Sequence, residues 1–272
     1  MSRLTSIVCL LLAFTGCTTH YTTYGQKATA ERSATLTVNG ATQLTVEAGA
    51  GHLRIEARDT ATNVEIEGTA RAARERDLDA IQIRTDRDGD RLTVRTEIPR
   101  GNNQLDLVVV FPEGLSLTVN DGSGDASIDG VSGEFIRVKD GSGTLELSSL
   151  NGALTVDDGS GDVTMNGVNG ALDVTDGSGD LTVDGVNGDV TVSDDGSGNL
   201  RLSGVNGSVR IVDDGSGDIR VSGVTGDVHI EDDGSGDIDV DGISGDFTVE
   251  EDGSGDIHYT GVAGRIDIPD DD

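Results

Sequence analysis

From Asp121 onward, apolar and polar residues alternate in short runs, and the runs recur with a fixed period. Each unit opens on Asp-Gly-Ser-Gly, with its aspartate at Asp121, Asp140, Asp158, Asp176, Asp195, Asp214, Asp233 and Asp252, so the spacings are 18 or 19 residues. The fifth residue after that aspartate is Ala126, Leu145, Val163, Leu181, Leu200, Ile219, Ile238 or Ile257, and the seventh is Ile128, Leu147, Met165, Val183, Leu202, Val221, Val240 or Tyr259. A Gly-Val-Asn-Gly-like phrase follows. A second alternating run then supplies Leu154, Leu172, Val190, Val209, Val228, Phe247 and Ile266, with Val156, Val174, Val192, Ile211, Ile230, Val249 and Ile268 two residues on. A period of two puts each pair on one face of a strand. The turns are too short for crossover helices, yet the columns require like strands to lie over like strands. A parallel β-solenoid meets both demands, each strand pairing with its equivalent in the next coil. At about 4.8 Å per coil, eight coils make a rod of roughly 38 Å.

Before the repeats, the alternation continues without a clean period. Thr35 to Val38, Leu44 to Glu47, His52 to Ala57, Val64 to Gly68, Ile81 to Thr85, Arg91 to Thr96, Leu105 to Phe111 and Leu115 to Val119 read as short strands. Leu107 to Phe111, with three consecutive valines, is expected to be buried on both faces, and the Arg- and Asp-rich Ala70 to Ala80 to form a surface excursion with a helical turn. These strands are expected to be irregular coils of the same solenoid that also close its first end. In the first regular unit, Phe135-Ile136-Arg137-Val138 sets arginine on the inward position, which predicts a bulge or frame shift. Pro269 and Asp270 to Asp272 are expected to blunt the other end. The fold class is therefore all-β. The organisation is a leader over 1–16, a tether over 17–33, irregular β coils over 34–120, regular coils over 121–268 and an acidic tail over 269–272.

The amino terminus changes the picture from a rod to an anchored rod. Arg3 and the uncharged apolar run Ile7 to Phe14 form an export signal too short to span a membrane. Phe14-Thr15-Gly16-Cys17 resembles the bacterial lipoprotein processing box, with Phe14 in place of the usual aliphatic residue. That resemblance implies a lipidated Cys17, carrying several acyl chains, which suffice for stable attachment. Thr18 stands where an aspartate would favour retention at the inner membrane, so an outer-membrane lipoprotein is expected. Cys9 leaves with the leader, so no internal disulfide can form.

Composition narrows the partners. Aromatic residues are 3% and tryptophan is absent, which predicts a thin aliphatic core. The formal charge is -31 and becomes -32 without Arg3 (18 basic against 50 acidic side chains). Such a surface repels nucleic acid and anionic headgroups. The membrane is therefore reached through lipid, and an envelope protein or polysaccharide remains as a partner of unknown identity. The glycines are read first as corner residues, because every glycine run enters a strand, whereas a phosphate-binding loop enters a helix.

The aspartates carry the only candidate ligand chemistry. Asp214, Ser216 and Asp218 present oxygens at alternate residues, as a calcium loop does, although the remaining ligands of an EF-hand are missing. Asp195, Asp214, Asp218, Asp233, Asp237, Asp252 and Asp256 are thus candidate calcium ligands; bonding of their carboxylates to the turn's own amides is the competing reading. Either way, the stacked corners are expected to form an acidic outer edge. Catalysis has little support: the serine column has no histidine at a fixed companion position, and no acidic pair sits in an aromatic cleft.

Gly179-Asp180-Leu181-Thr182-Val183 and Gly188-Asp189-Val190-Thr191-Val192, following an irregular strand region that ends in Val110-Phe111-Pro112, resemble a bacterial family catalogued as "putative adhesins" of unknown function, over approximately Ala34 to Ile268. The resemblance implies a β-solenoid on the cell envelope, with no catalytic residues to carry over. The leading expectation is a non-enzymatic, lipid-anchored envelope protein whose acidic solenoid serves as a binding, adhesion or scaffolding surface. The alternatives are a calcium-stabilised solenoid and a carbohydrate-active β-helix enzyme.

Overall fold

The computed structural model describes residues 28–269, and the described chain is a two-walled parallel β-solenoid. Eleven strands build the irregular start: β1 (Ala28–Thr37), β2 (Gln43–Glu47), β3 (Leu53–Arg58), β4 (Asn63–Ala72), β5 (Gln82–Asp88), β6 (Arg91–Glu97), β7 (Gln104–Pro112), β8 (Ser116–Asn120), β9 (Ala126–Asp129), β10 (Ser132–Asp140) and β11 (Leu145–Asp158). The regular coils add β12 (Val163–Asn169), β13 (Leu172–Asp176), β14 (Leu181–Asn187), β15 (Val190–Asp195), β16 (Leu200–Val205), β17 (Val209–Asp214), β18 (Ile219–Val224), β19 (Val228–Asp233), β20 (Ile238–Ile243), β21 (Phe247–Asp252), β22 (Ile257–Thr260) and β23 (Ile266–Asp267).

Wall A runs β5-β6-β2-β8-β10, then the second half of β11, then the odd-numbered strands from β13 to β23. Wall B runs β1-β4-β7-β3-β9, then the first half of β11, then the even-numbered strands from β12 to β22. The Asp-Gly-Ser-Gly corner leads from A to B, and the Gly-Val-Asn-Gly corner leads back. Pairing is parallel throughout except at the start, where β1, β4 and β5 are antiparallel and cover the first coils. Chain order and stacking order differ there: β2 and β3 stack directly on β8 and β9.

The four sequence-derived columns face inward and are buried from Ala126 to Val249. A fifth column was not read from the sequence. The apolar residue of the second corner, Val131, Leu150, Val168, Val186, Val205, Val224 or Ile243, is at most 2% exposed and closes the core on that side. The excursion after β4 begins later than expected, at a 3-10 turn over Glu75–Ala80, and Leu78 anchors it in a small satellite core with Ala30, Ala70 and Ile81. β7 departs from the expectation of burial on both faces. It alternates, and Val108 is 37% exposed, because its flanks are covered by β3 and β4 while one face stays open. The expected irregularity in β10 is present as a register shift between Ser132 and Phe135; it turns Ile136 and Val138 inward and Arg137 outward over the Phe135 ring. At the far end the core is only partly covered: Tyr259 is 42% exposed and Ile266 37%.

Candidate binding surface

Each regular corner is shaped by glycines that another residue could not replace. At Gly217 φ is +145°, and a Cβ there would lie 2.5 Å from the carbonyl carbon of Gly198 in the coil below. The crowding follows from ladder bonds that run straight through the corner, Gly198 N to Ser216 O at 3.0 Å and Gly217 N to Ser235 O at 2.9 Å.

The two aspartates of one corner lie on opposite sides of the wall. The leading column, expected as an acidic outer edge, is inside: Asp121 is 6% exposed, Asp140 1%, Asp158 2%, and Asp176, Asp195, Asp214 and Asp233 0%. In the shorter coils, strict alternation carries the chain inward through Leu154, Val156 and Asp158, and through Leu172, Val174 and Asp176. The longer coils insert one residue before the aspartate, seen as the register shift between Val174 and Thr175, and keep it inside. Burial, with neighbouring carboxylates as the second cause, raises Asp121 and Asp158 to about 7, Asp176, Asp195 and Asp233 to about 6, and Asp214 to about 8.

The trailing column is outside and serves the backbone. Asp162 Oδ1 accepts the amide of Asp180 at 3.1 Å, Asp180 that of Asn199 at 3.0 Å, Asn199 that of Asp218 at 3.3 Å, Asp218 that of Asp237 at 3.3 Å, and Asp237 that of Asp256 at 3.1 Å. The positive φ of the preceding glycine leaves that amide without a strand partner, and the carboxylate one coil back takes it. These bonds hold Asp180 and Asp218 below the usual carboxylate range; Arg220 adds to the effect at Asp218. The second corner repeats the device with Asp189, Ser208, Asp227 and Asp246, each accepting the next coil's amide. It also carries an amide ladder in which Asn169 donates to Asn151, Asn187 to Asn169 and Asn206 to Asn187, at 2.8 to 3.0 Å.

Among the candidate calcium ligands, Asp195, Asp214 and Asp233 therefore face the core and Asp252 is half-buried, while Asp218, Asp237 and Asp256 lie outside the opposite surface of the wall. The structure does not bring the leading and trailing oxygens of a corner together. Among the described residues, no group of three or more His, Cys, Asp or Glu side chains is arranged to hold a metal ion. Cys17 lies outside the described residues.

Concave surface is found on the outer face of wall B at both ends. Toward the start, a groove of about 440 Å³ is lined by His52, Arg54, Asp106, Val108, Asp125 and Glu146, with His52 Nδ1 3.4 Å from Asp125. Toward the far end, a groove of about 360 Å³ runs beside the stacked column Arg201, Arg220, Asp239 and His258, with Ser203, Ser222 and Tyr259 also lining it. Between Asp121 and Ile268 the chain has 32 acidic and 6 basic side chains, and on the wall B strands of that stretch the only Arg or Lys residues are Arg201 and Arg220. Arg220 bridges Asp218 at 2.9 Å and Asp239 at 3.4 Å, whereas Arg201 is exposed and closes no ion pair among the described residues. The Tyr259 ring belongs to the inward column: it packs 6.0 Å from that of the buried Phe247, and its exposure is at the open end of the core. The sequence reading missed this site, because arginine spacing acquires meaning only once the coils are stacked; Arg201 and Arg220, one period apart, were the available signal.

Comparison with solved structures finds distant likenesses. A protein from Parabacteroides distasonis described as a "putative adhesin" is 13% identical, covering 88% of this chain and 97% of its own, with a TM-score of 0.48. A "putative lipid binding protein" from the same organism is 18% identical over 90% of this chain and 98% of its own, with a TM-score of 0.46. A "putative adhesin" from Bacteroides fragilis is 15% identical over 88% and 97%, with a TM-score of 0.45. No curated protein matches the chain. The family model described as Toastrack DUF4097 matches residues 23–189, which hold the antiparallel cover, the irregular coils and the first regular coils, and the later coils continue the same repeat. The chain belongs to the Toastrack DUF4097 family.

Proposed function

We propose that this is a non-enzymatic, lipid-anchored protein of the cell envelope, attached to the outer membrane through Cys17, whose rigid solenoid offers the outer face of wall B as a binding surface. The observation that carries this reading is the stacked Arg201–Arg220 pair beside a groove, on a wall that is otherwise without Arg or Lys from Asp121 onward. Two guanidinium groups one coil apart, flanked by Ser203 and Ser222, suit a carboxylate-bearing polysaccharide: charge-assisted bonds hold the acid group and hydroxyls hold the ring oxygens. A surface so acidic elsewhere limits contact with other anions to this site. The groove lies at the far end from β1, the end to which the tether connects, so the anchored rod would present it away from the membrane.

Two measurements test the two parts of the proposal. Labelled palmitate should enter the wild-type protein and be lost in Cys17→Ala; incorporation that survives the substitution removes the anchor. On an array of acidic and neutral glycans, the purified protein should bind carboxylated members, and Arg201→Glu with Arg220→Glu should abolish the signal. Binding that is unchanged in the double variant, or confined to neutral glycans, would remove wall B as the contact face.

A further inference from the structure

The interior aspartate column is the one part of the core that the hydrophobic effect does not explain. Asp140 lies in register with Asp158, Asp158 with Asp176, Asp176 with Asp195, Asp195 with Asp214 and Asp214 with Asp233. Parallel stacking spaces them about 4.8 Å apart. Asp121 accepts the Gly122 amide at 2.9 Å and Asp176 that of Ser178 at 3.2 Å. No well-formed hydrogen bond reaches either carboxylate oxygen of Asp140, Asp158, Asp195, Asp214 or Asp233; the amides of Gly141 and Ser142, of Gly159 and of Ser235 lie near Asp140, Asp158 and Asp233, while Asp195 and Asp214 have no donor at all. Their inward neighbours are aliphatic, such as Ile211 and Ile219 beside Asp214.

The charged groups nearest the column are acidic but for Lys139, which precedes Asp140, is exposed and pairs outward with Asp157. Asp194, Asp213 and Asp232 precede it on the wall A strands, and Asp125, Asp180 and Asp218 lie across the corner on the wall B side. Among the described residues the one buried basic side chain is Arg32, which is committed at the other end of the molecule to the carbonyls of Leu78 and Ile81. A file of buried carboxylates, ionised at every coil and unpaired, would be prohibitively unfavourable. A divalent ion does not fit the gap well. Calcium takes six to eight oxygens, and the corner carbonyls are already taken by the next coil's amides, as Asp195 O is by Gly215 N at 2.8 Å and Asp214 O by Gly234 N at 2.7 Å. A proton does fit. A protonated carboxyl is donor and acceptor at once, so each can donate to the one stacked on it, as the Asn ladder does at the other corner.

We propose that the aspartate column is a proton file: in the folded rod at neutral pH its carboxyls retain and share protons along the axis, so that folding takes up protons and mild acid tightens the solenoid. The upward shifts of these groups, to between about 6 and about 8, agree with that reading. The sign is fixed by linkage. An acid whose folded pKa lies above its unfolded value of 3.8 binds more protons when folded, so it lowers stability as pH rises through that interval and restores it as pH falls.

The test is the melting temperature of the purified protein between about pH 9 and about pH 5, a range that spans these pKa values. Wild type is expected to gain about 5 °C or more on acidification. The interior variant Asp195→Asn/Asp214→Asn/Asp233→Asn should flatten that rise. The surface variant Asp194→Asn/Asp213→Asn/Asp232→Asn, which removes the same formal charge outside the core, should keep it. If the interior variant does not fold, infrared spectra of the wild type decide: folded protein at neutral pH should show a carboxylic-acid C=O band that denaturant abolishes. The proposal is overturned by a flat wild-type profile, by equal flattening in the surface variant, or by absence of the acid band. It is also overturned if calcium, added after chelator dialysis, raises the melting temperature and removes its pH dependence, which would make the file one of metal ions.

Discussion

Gly217→Ala and Gly223→Ala place the same methyl group on two glycines of one coil, both with positive φ, and the structure expects them to behave differently. At Gly217 φ is +145° and the new Cβ would sit 2.5 Å from the Gly198 carbonyl carbon and closer still to its oxygen, all of it backbone. Room can be made only by parting two coils at the corner, which strains the ladder bonds from Gly198 N to Ser216 O and from Gly217 N to Ser235 O. Two such bonds are worth about 1 to 3 kcal/mol net, and forcing alanine into that backbone region costs a further ~1 to 3 kcal/mol. At Gly223 φ is +65° and the nearest atom, Gly204 N, would be 3.6 Å away, so only the left-handed penalty applies. That penalty is about 1 to 2 kcal/mol, partly offset by about 0.4 to 1 kcal/mol from the stiffer unfolded chain. Thermal melts followed by circular dichroism should then show a drop of about 5 °C or more for Gly217→Ala and of at most about 4 °C for Gly223→Ala. Equal destabilisation, or a larger loss at Gly223, would refute the close approach of successive corners.

Other substitutions probe what the sequence hid. Leu150→Ala, at a position that reads as a turn but is 1% exposed, should cost about 2 to 5 kcal/mol in urea unfolding; a loss near zero would place that column outside the core. Asn187→Ala removes the bonds to Asn169 and from Asn206 and should cost about 1 to 2 kcal/mol, with Asn187→Gln restoring little because its amide is displaced by one carbon. Asp180 and Asp218 have folded pKa values below 3.8, so the stability they add is present above that pH and lost as pH falls through the lowered values. With the interior column acting oppositely above 3.8, melting temperature should peak on the acid side of neutrality; a peak above about pH 8 would contradict the interior assignment, and stability that keeps rising as pH falls below 3.8 would contradict the exposed one.

The walls were legible because each of their strands shows at least two apolar residues at a spacing of two, repeated at a constant period. Leu200 with Leu202 and Val209 with Ile211 need no more than that. Val205 was not legible: one apolar residue between glycines has no alternation partner, and its burial depends on the corner being wide enough to turn it inward. The aspartate column was half-legible. In the coils ending at Asp158 and Asp176, unbroken alternation points to the core, but a charged residue is ordinarily read as outward. The inserted residue of the longer coils, as between Ile211 and Asp214, hides the phase. The trailing aspartates were correctly placed outside, yet their role in capping the next coil's amide follows from stacking and has no local sequence signature. The Arg201–Arg220 groove likewise exists only across coils.

What distinguishes this rod from an ordinary acidic surface protein is the direction in which the corner aspartates point. Carbon NMR of the aspartate carboxyl groups, followed as pH is lowered on the folded protein, reads that direction residue by residue. The inward placement of Asp158, Asp176, Asp195, Asp214 and Asp233 predicts a set of carboxyls titrating between about 6 and about 8, apart from the exposed majority and absent after unfolding. If every aspartate titrates as one population near the ordinary value of 3.8, the column faces solvent and the core described here is wrong.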